Sequence, residues 1–281
     1  MSKTIAILGA SGNVGKQCVE YFVTQGDTVL AYGRKTPRFA QKDVTNFALD
    51  YQDEEQLTSV FEKADAVLIV VGVEYATAKW QEFWPSFAKR VANVIRKTKT
   101  RTVFFDNVYS YGLVEGVMSE DTPYNPVSKK GEIRREVDEV FDSLIAEDLP
   151  VFVAKAPDFY GPRALSSFFG KRFHEQLAKG KFEWFGDPTL EHTLGYIPDF
   201  PPALHELLHS QNTGVYHLPV SEELMSAEKI KKILEEQTGR TYEYSLLRGR
   251  LLWFLGLFTP VLRELREMMY QYEHPLPLRF E

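Results

Sequence analysis

Three glycines, Gly9, Gly12 and Gly15, follow the apolar run Thr4-Ile5-Ala6-Ile7-Leu8, and a helical pattern begins inside them. Residues of this type at this spacing bind phosphate. The first glycine permits a tight turn out of a strand, and the second lets a pyrophosphate reach the backbone. The third lets the new helix pack closely on the strand, with its free N–H groups turned to the anion. The spacing G-x-x-G-x-x-G is one residue longer in its first gap than the common dinucleotide fingerprint. Ser11, Asn13 and Val14 inside the loop are expected to touch the ligand as well. The second strand ends Tyr32-Gly33-Arg34-Lys35, with Arg38 close behind. An acid there would select a free ribose 2′-hydroxyl, whereas a guanidinium engages a 2′-phosphate. Arg34 and Lys35 therefore predict NADP(H) in preference to NAD(H); a solvated basic loop is the alternative. Asp50 and Tyr51, after the third strand, are expected at the adenine, with a helix N-cap as the other role for an acid here, one that Asp53 could fill. Val71 and Gly72, after the fourth, let backbone pass close to the cofactor, and Pro157 follows the sixth.

Such residues need a scaffold that gathers strand ends. The pattern predicts strands over 28–32, 46–49, 66–71, 101–105 and 150–154 after the first one. Helices are predicted over 14–24, 54–61, 79–97 and 132–145. Alternation of this kind implies an α/β fold, a doubly wound parallel (Rossmann) sheet whose ligands bind at the carboxyl ends of its strands. Residues 1–157 are read as the NADP(H)-binding domain and 158–281 as a smaller, mostly helical substrate-side lobe. In that lobe helices are expected near 166–179, 200–209, 227–237 and 248–271, with strands near 182–185 and 215–218.

The chain resembles the short-chain dehydrogenase/reductase superfamily in its extended or atypical branch, and within it proteins described as NAD-dependent epimerase/dehydratase. The likeness rests on the glycine spacing and on Val108-Tyr109-Ser110-Tyr111-Gly112. Glu120-Asp121-Thr122-Pro123, Ala156-Pro157-Asp158-Phe159-Tyr160-Gly161-Pro162 and Gly195-Tyr196-Ile197-Pro198-Asp199 extend it, and the C-terminal Leu255–Leu265 region and Met269-Tyr270-Gln271 are also similar. Enzymes of this superfamily use a Tyr with a Lys four residues later on the helix after strand five, where the ammonium lowers the phenol's pKa, and a nearby Ser or Thr holds the substrate oxygen. Here the corresponding stretch reads Tyr124-Asn125-Pro126-Val127-Ser128-Lys129-Lys130, with no Tyr and Lys four apart, and Asn107 stands at the Ser position. The resemblance thus implies Asn107 as the group orienting the substrate oxygen, Tyr111 or Tyr124 as proton donor and Lys129 as a candidate partner. Lys129 and Lys130 read equally as solvated residues of a helix start. Asp158 is a further candidate donor. The literal Tyr75-x-x-x-Lys79 follows strand four and is read as a chance match; His192 is read as a core histidine.

Two functions follow from these residues. One is an oxidoreductase or epimerase-type enzyme acting on a small carbonyl or sugar-like substrate. The other is a non-catalytic NADP(H)-binding redox sensor or regulatory protein.

Bulk properties narrow the field. The net charge is −6, with 26% charged and 44% hydrophobic residues, which argues against nucleic acid as a partner. Cys18, the single cysteine, permits no internal disulfide and reads as a buried, inert thiol, so a cytoplasmic location is expected. No metal site is expected. The longest apolar stretch, 251–258, is too short for a membrane span of about 20 residues. Core packing is its default role, with a homodimer surface, a substrate lid or an interfacial membrane contact as alternatives.

Overall fold

The computed structural model describes residues 2–165, 167, 169–247 and 260–278. Its centre is a parallel sheet of seven strands: β1 (Thr4–Leu8), β2 (Thr28–Gly33), β3 (Val44–Ala48), β4 (Ala66–Ile69), β5 (Arg101–Asn107), β6 (Val151–Ala156) and, from later in the chain, β10 (Gly214–His217). Their order across the sheet is β10-β6-β5-β4-β1-β2-β3. The order reverses between β1 and its two neighbours β2 and β4, so the crevice between β1 and β4 is the point where such sheets take ligands.

Strand burial follows position. β4 and β6 are buried throughout, as strands covered on both faces must be, while the edge strand β3 is half exposed. Along β1, Ala6 and Leu8 face one core and Ile5 and Ile7 the other, the period-two alternation of a strand. The first core lies under α2 (Glu54–Lys63), α3 (Thr77–Thr98) and α4 (Lys129–Ala146), and the second under α1 (Asn13–Thr24) and α6 (Phe200–Leu207). Cys18 is buried in that second core, where loss of water pushes its thiol pKa far up. Asp53, not Asp50, caps α2, its carboxylate accepting the Glu55 and Gln56 N–H groups; Ser128 caps α4 in the same manner.

The remaining elements are α5 (Lys171–Leu177), α7 (Ala227–Thr238), two-stranded pairings of β7 (Phe159–Tyr160) with β9 (Gly195–Tyr196) and of β8 (Lys181–Phe185) with β11 (Glu243–Leu247), and short helices Pro260–Arg266 and Tyr270–Glu273. Two expectations need correction here. The chain does not divide cleanly after residue 157, because β10 and α6 return to complete the first layer and its second core. Nor is the long helix over 248–271 continuous, since a turn at 267–269 separates the two short helices. The apolar stretch 251–258 lies outside the described residues. Among the described residues no helix is long and apolar enough to cross a membrane.

Candidate functional site

The glycine loop leaves β1 at the sheet's centre. Gly9 has φ of +90°, and a Cβ there would stand 2.5 Å from the Val70 carbonyl oxygen, so no other residue fits. A Cβ on Gly15 would meet the Gly9 carbonyl oxygen at 2.4 Å, which is the close helix-to-strand approach expected of a third glycine. Gly12 is the N-cap of α1, carries no side-chain cap, and is followed by no acid in the first turn. The end of α1 is therefore a cradle of backbone N–H groups with a positive dipole and no competing carboxylate. A dinucleotide's pyrophosphate fits this cradle.

Arg34 and Lys35 are exposed at the tip of β2. Asp50 is exposed at the tip of β3, one of its oxygens accepting the Gln52 N–H. Tyr51 is corrected: its ring is buried in the first core, and burial raises its hydroxyl to about 12. Val71 and Gly72 continue from β4 beside Gly9, and Pro157 is buried at the end of β6.

Beyond the loop, a cleft of about 440 Å³ opens over the carboxyl ends of β4, β5 and β6. Tyr75, Tyr109 and Asp158, which follow those three strands in turn, form its floor, and Gln271 and Tyr272 form part of its far wall. The Tyr75 and Tyr109 phenols are close enough to influence each other's titration. Tyr272 donates to Asp158 Oδ2 at 2.8 Å. Burial pushes the pKa of all three phenols up, and that of the Asp158 carboxyl as well, against the pull of the Tyr272 hydroxyl.

Behind the cleft, α4 presents a stripe of buried charge. Lys130, Arg134 and Asp138 recur every fourth residue and so share one helix face. Lys130 Nζ pairs with Glu264 Oε2 and Glu267 Oε1 at 2.6 Å each, and lies 4.7 Å from the centre of the Tyr75 ring. Arg134 pairs with Asp106 and stacks 4.2 Å from the Trp84 ring. Asp138 Oδ2 accepts from Lys155 Nζ at 2.7 Å; burial raises the Asp138 carboxyl and the ammonium pulls it back. Glu264 also accepts from the Thr77 N–H and hydroxyl. Burial works to raise its carboxyl, yet the bonds from Lys130 and Thr77 prevail and hold it at about 2. The segment 264–272 is thereby tied across the cleft.

The four residues expected to act on substrate do not line this cleft. Asn107 spends its side-chain oxygen on the Tyr109 N–H, closing the turn after β5. Tyr111 is fully enclosed, its hydroxyl 3.0 Å from His217 Nε2. Tyr124 stacks on Tyr111 and reaches Asp142 at 3.4 Å. Lys129 is exposed, whereas its neighbour Lys130 is wholly buried. The cause is helical phase: one step along α4 turns a side chain by roughly 100°, from solvent to core. Lys79 points away from Tyr75 toward Glu82, and His192 is a core residue that burial drives down to about 4. Tyr109 and Tyr272 went unselected. Tyr109 stands inside the quoted 108–112 motif, but nothing local tells which of its two tyrosines faces outward.

This loop and cleft on a Rossmann sheet define a dinucleotide-dependent enzyme class. The sequence matches the NAD dependent epimerase/dehydratase family over residues 5–218, and the chain belongs to that family. No curated protein matches it. Among solved structures it is similar to MoeE5 in complex with UDP-glucuronic acid and NAD (TM-score 0.75, 19% identity, 87% of this chain and 85% of that one). UDP-glucuronic acid 4-epimerase from Bacillus cereus in complex with NAD gives 0.73 at 18% identity, covering 87% of each chain. The dTDP-4-dehydrorhamnose reductase from Bacillus anthracis str. Ames, in complex with NADP, gives 0.70 at 15%, covering 88% and 85%. These likenesses establish the fold.

Proposed function

We propose that the protein is an NADP(H)-dependent oxidoreductase of the epimerase/dehydratase family that reduces a small carbonyl or sugar-like substrate, with Tyr109 and Tyr75 in place of the family's helix-borne tyrosine. The observation that carries this reading is that Tyr75 and Tyr109 both line the cleft, with the Lys130 ammonium 4.7 Å from the centre of the Tyr75 ring. Gly9, Ser11, Gly12, Asn13, Val14 and Gly15 would hold the pyrophosphate. Asp50 and the backbone at Tyr51, Val71, Gly72 and Pro157 would line the rest of the dinucleotide. Arg34 and Lys35 would select the 2′-phosphate. The bound nucleotide supplies hydride to, or accepts it from, the substrate carbon.

Phenols raised by burial stay protonated near neutral pH, so Tyr109 and Tyr75 stand as proton donors toward a substrate oxygen and would take the proton back in the reverse direction. The Lys130 and Arg134 positions on α4 are spaced as the family's Tyr and Lys are, but each is committed to carboxylates. The described residues of 158–199 and 219–278 would form the substrate side, and a cytoplasmic location suits the single buried cysteine. The sugar nucleotides named with MoeE5 and the Bacillus cereus epimerase support a sugar-like substrate.

The test is titration with NADPH, NADP⁺, NADH and NAD⁺, followed by turnover of a carbonyl panel by wild type and Tyr109→Phe. Loss of turnover with retained binding supports the reading; unchanged turnover overturns the role of Tyr109. A second reading, a redox sensor, is favoured by one feature: the carboxylate of the cleft, Asp158, is already engaged by the Tyr272 hydroxyl. It requires clearly different affinities for NADPH and NADP⁺.

A further inference from the structure

Away from the cleft, at the amino end of the sheet, Asp27 precedes β2 and faces the last turn of α6. His205 lies in that turn and His209 in the turn that follows α6, their rings 4.4 Å between centres. Asp27 is buried, with Oδ1 accepting the Lys3 N–H at 2.9 Å and Oδ2 lying 2.8 Å from His205 Nε2. His209 Nε2 is shielded from water and has no hydrogen-bond partner among the described residues. One ligand atom from each of the three residues falls within 4.8 Å of the others.

We propose that Asp27, His205 and His209 form a binding site for a divalent transition ion of the zinc type, which staples α6 to the β1–β2 side of the sheet. The geometry is close to that of a bound ion. Zinc-to-ligand bonds of about 2.0–2.1 Å place tetrahedral ligand atoms about 3.3 Å apart. The Asp27–His205 contact has to open by about half an ångström and His209 has to swing inward, both within the reach of side-chain rotation. Two imidazoles and one carboxylate suit zinc, cobalt or nickel rather than magnesium or calcium, and the fourth position is left to water. Lys3 is the opposing charge, and its ammonium is engaged by the Leu208 carbonyl at 2.8 Å. The binding of an ion gives the unpartnered His209 nitrogen a role that the resting structure does not.

The experiment is calorimetric titration of the full chain with ZnCl₂ and, separately, CoCl₂, following the visible absorption of bound cobalt. One equivalent is expected to bind, with a rise in melting temperature that grows with metal concentration. His209→Gln and His205→Ala should each weaken binding by about tenfold or more while NADPH titration is unchanged. No uptake by wild type, or uptake equal in wild type and both variants, overturns the proposal. Should a variant unfold, carbethoxylation of wild-type His209 decides: zinc protection supports the site, and equal labelling with and without zinc rejects it.

Discussion

The glycine loop and the cleft sit on the same edge of one sheet yet are built from different materials. The loop is made of backbone: one turn at positive φ, one close approach, one uncapped helix end, all within seven residues. The cleft is made of side chains carried by seven separate stretches: after β4, β5 and β6, over 167–176, on β8 and β11, and from 260–278. Backbone geometry tolerates only glycine and leaves a local signature. A side-chain cluster leaves none, because any of several tyrosines can reach the same point once the chain is folded.

Four substitutions test this contrast, from the largest expected effect downward. Lys130→Met strands Glu264 and Glu267, which are 18% and 23% exposed, beside an empty apolar slot. Breaking a fully buried pair costs about 3–5 kcal/mol, and partial exposure brings this toward the lower figure. Chemical denaturation should show that loss, and limited proteolysis should open the 264–272 segment first. A variant as stable as wild type would mean that the cleft does not depend on this clamp. Next, Tyr109→Phe should lower turnover by about a hundredfold or more, while nucleotide affinity holds. In the loop, Gly9→Ala combines a strained φ with a collision against Val70. A stability loss of about 1–3 kcal/mol is expected, with nucleotide binding abolished in calorimetry. The smallest effect belongs to Arg34→Ala, which should narrow the NADPH/NADH affinity ratio by about tenfold without destabilising the fold.

Acid separates the two regions without mutation. Glu264 has its folded pKa at about 2, below its ordinary 4.5. A depressed carboxylate contributes stability that is present above its unfolded pKa and lost as pH falls toward its folded one. Between pH 4.5 and 2 the cleft's far wall should therefore loosen, and Glu264→Gln should flatten the stability curve in that window. Identical curves would remove Lys130–Glu264 from the account of the clamp.

The same contrast explains what could be read in advance. The parallel sheet, the glycine cradle and the exposed basic tip at Arg34 were legible because each depends on neighbours in sequence. That Tyr109 rather than Tyr111 lines the cleft is not legible in sequence, because two residues of one short turn face opposite ways and only packing against His217 decides which is inside. The burial of Lys130 is not legible locally, because its partners lie more than a hundred residues away. The stripe Lys130-Arg134-Asp138 did carry a signal, since three charges on one helix face opposite an otherwise apolar core ask for buried partners. The pair His205 and His209, four apart in sequence at the end of α6, carried another.

The placement of Glu264 and Glu267 also sets an order of events during synthesis. Chains emerge from the ribosome N-terminal end first, and domains generally fold as units as they appear. The last strand of the central sheet, Gly214–His217, is made well before residues 264 and 267. The nucleotide cradle is thus complete while the Lys130 ammonium still faces water, and a nascent chain held at that length should capture nucleotide before it possesses a cleft in which to use it.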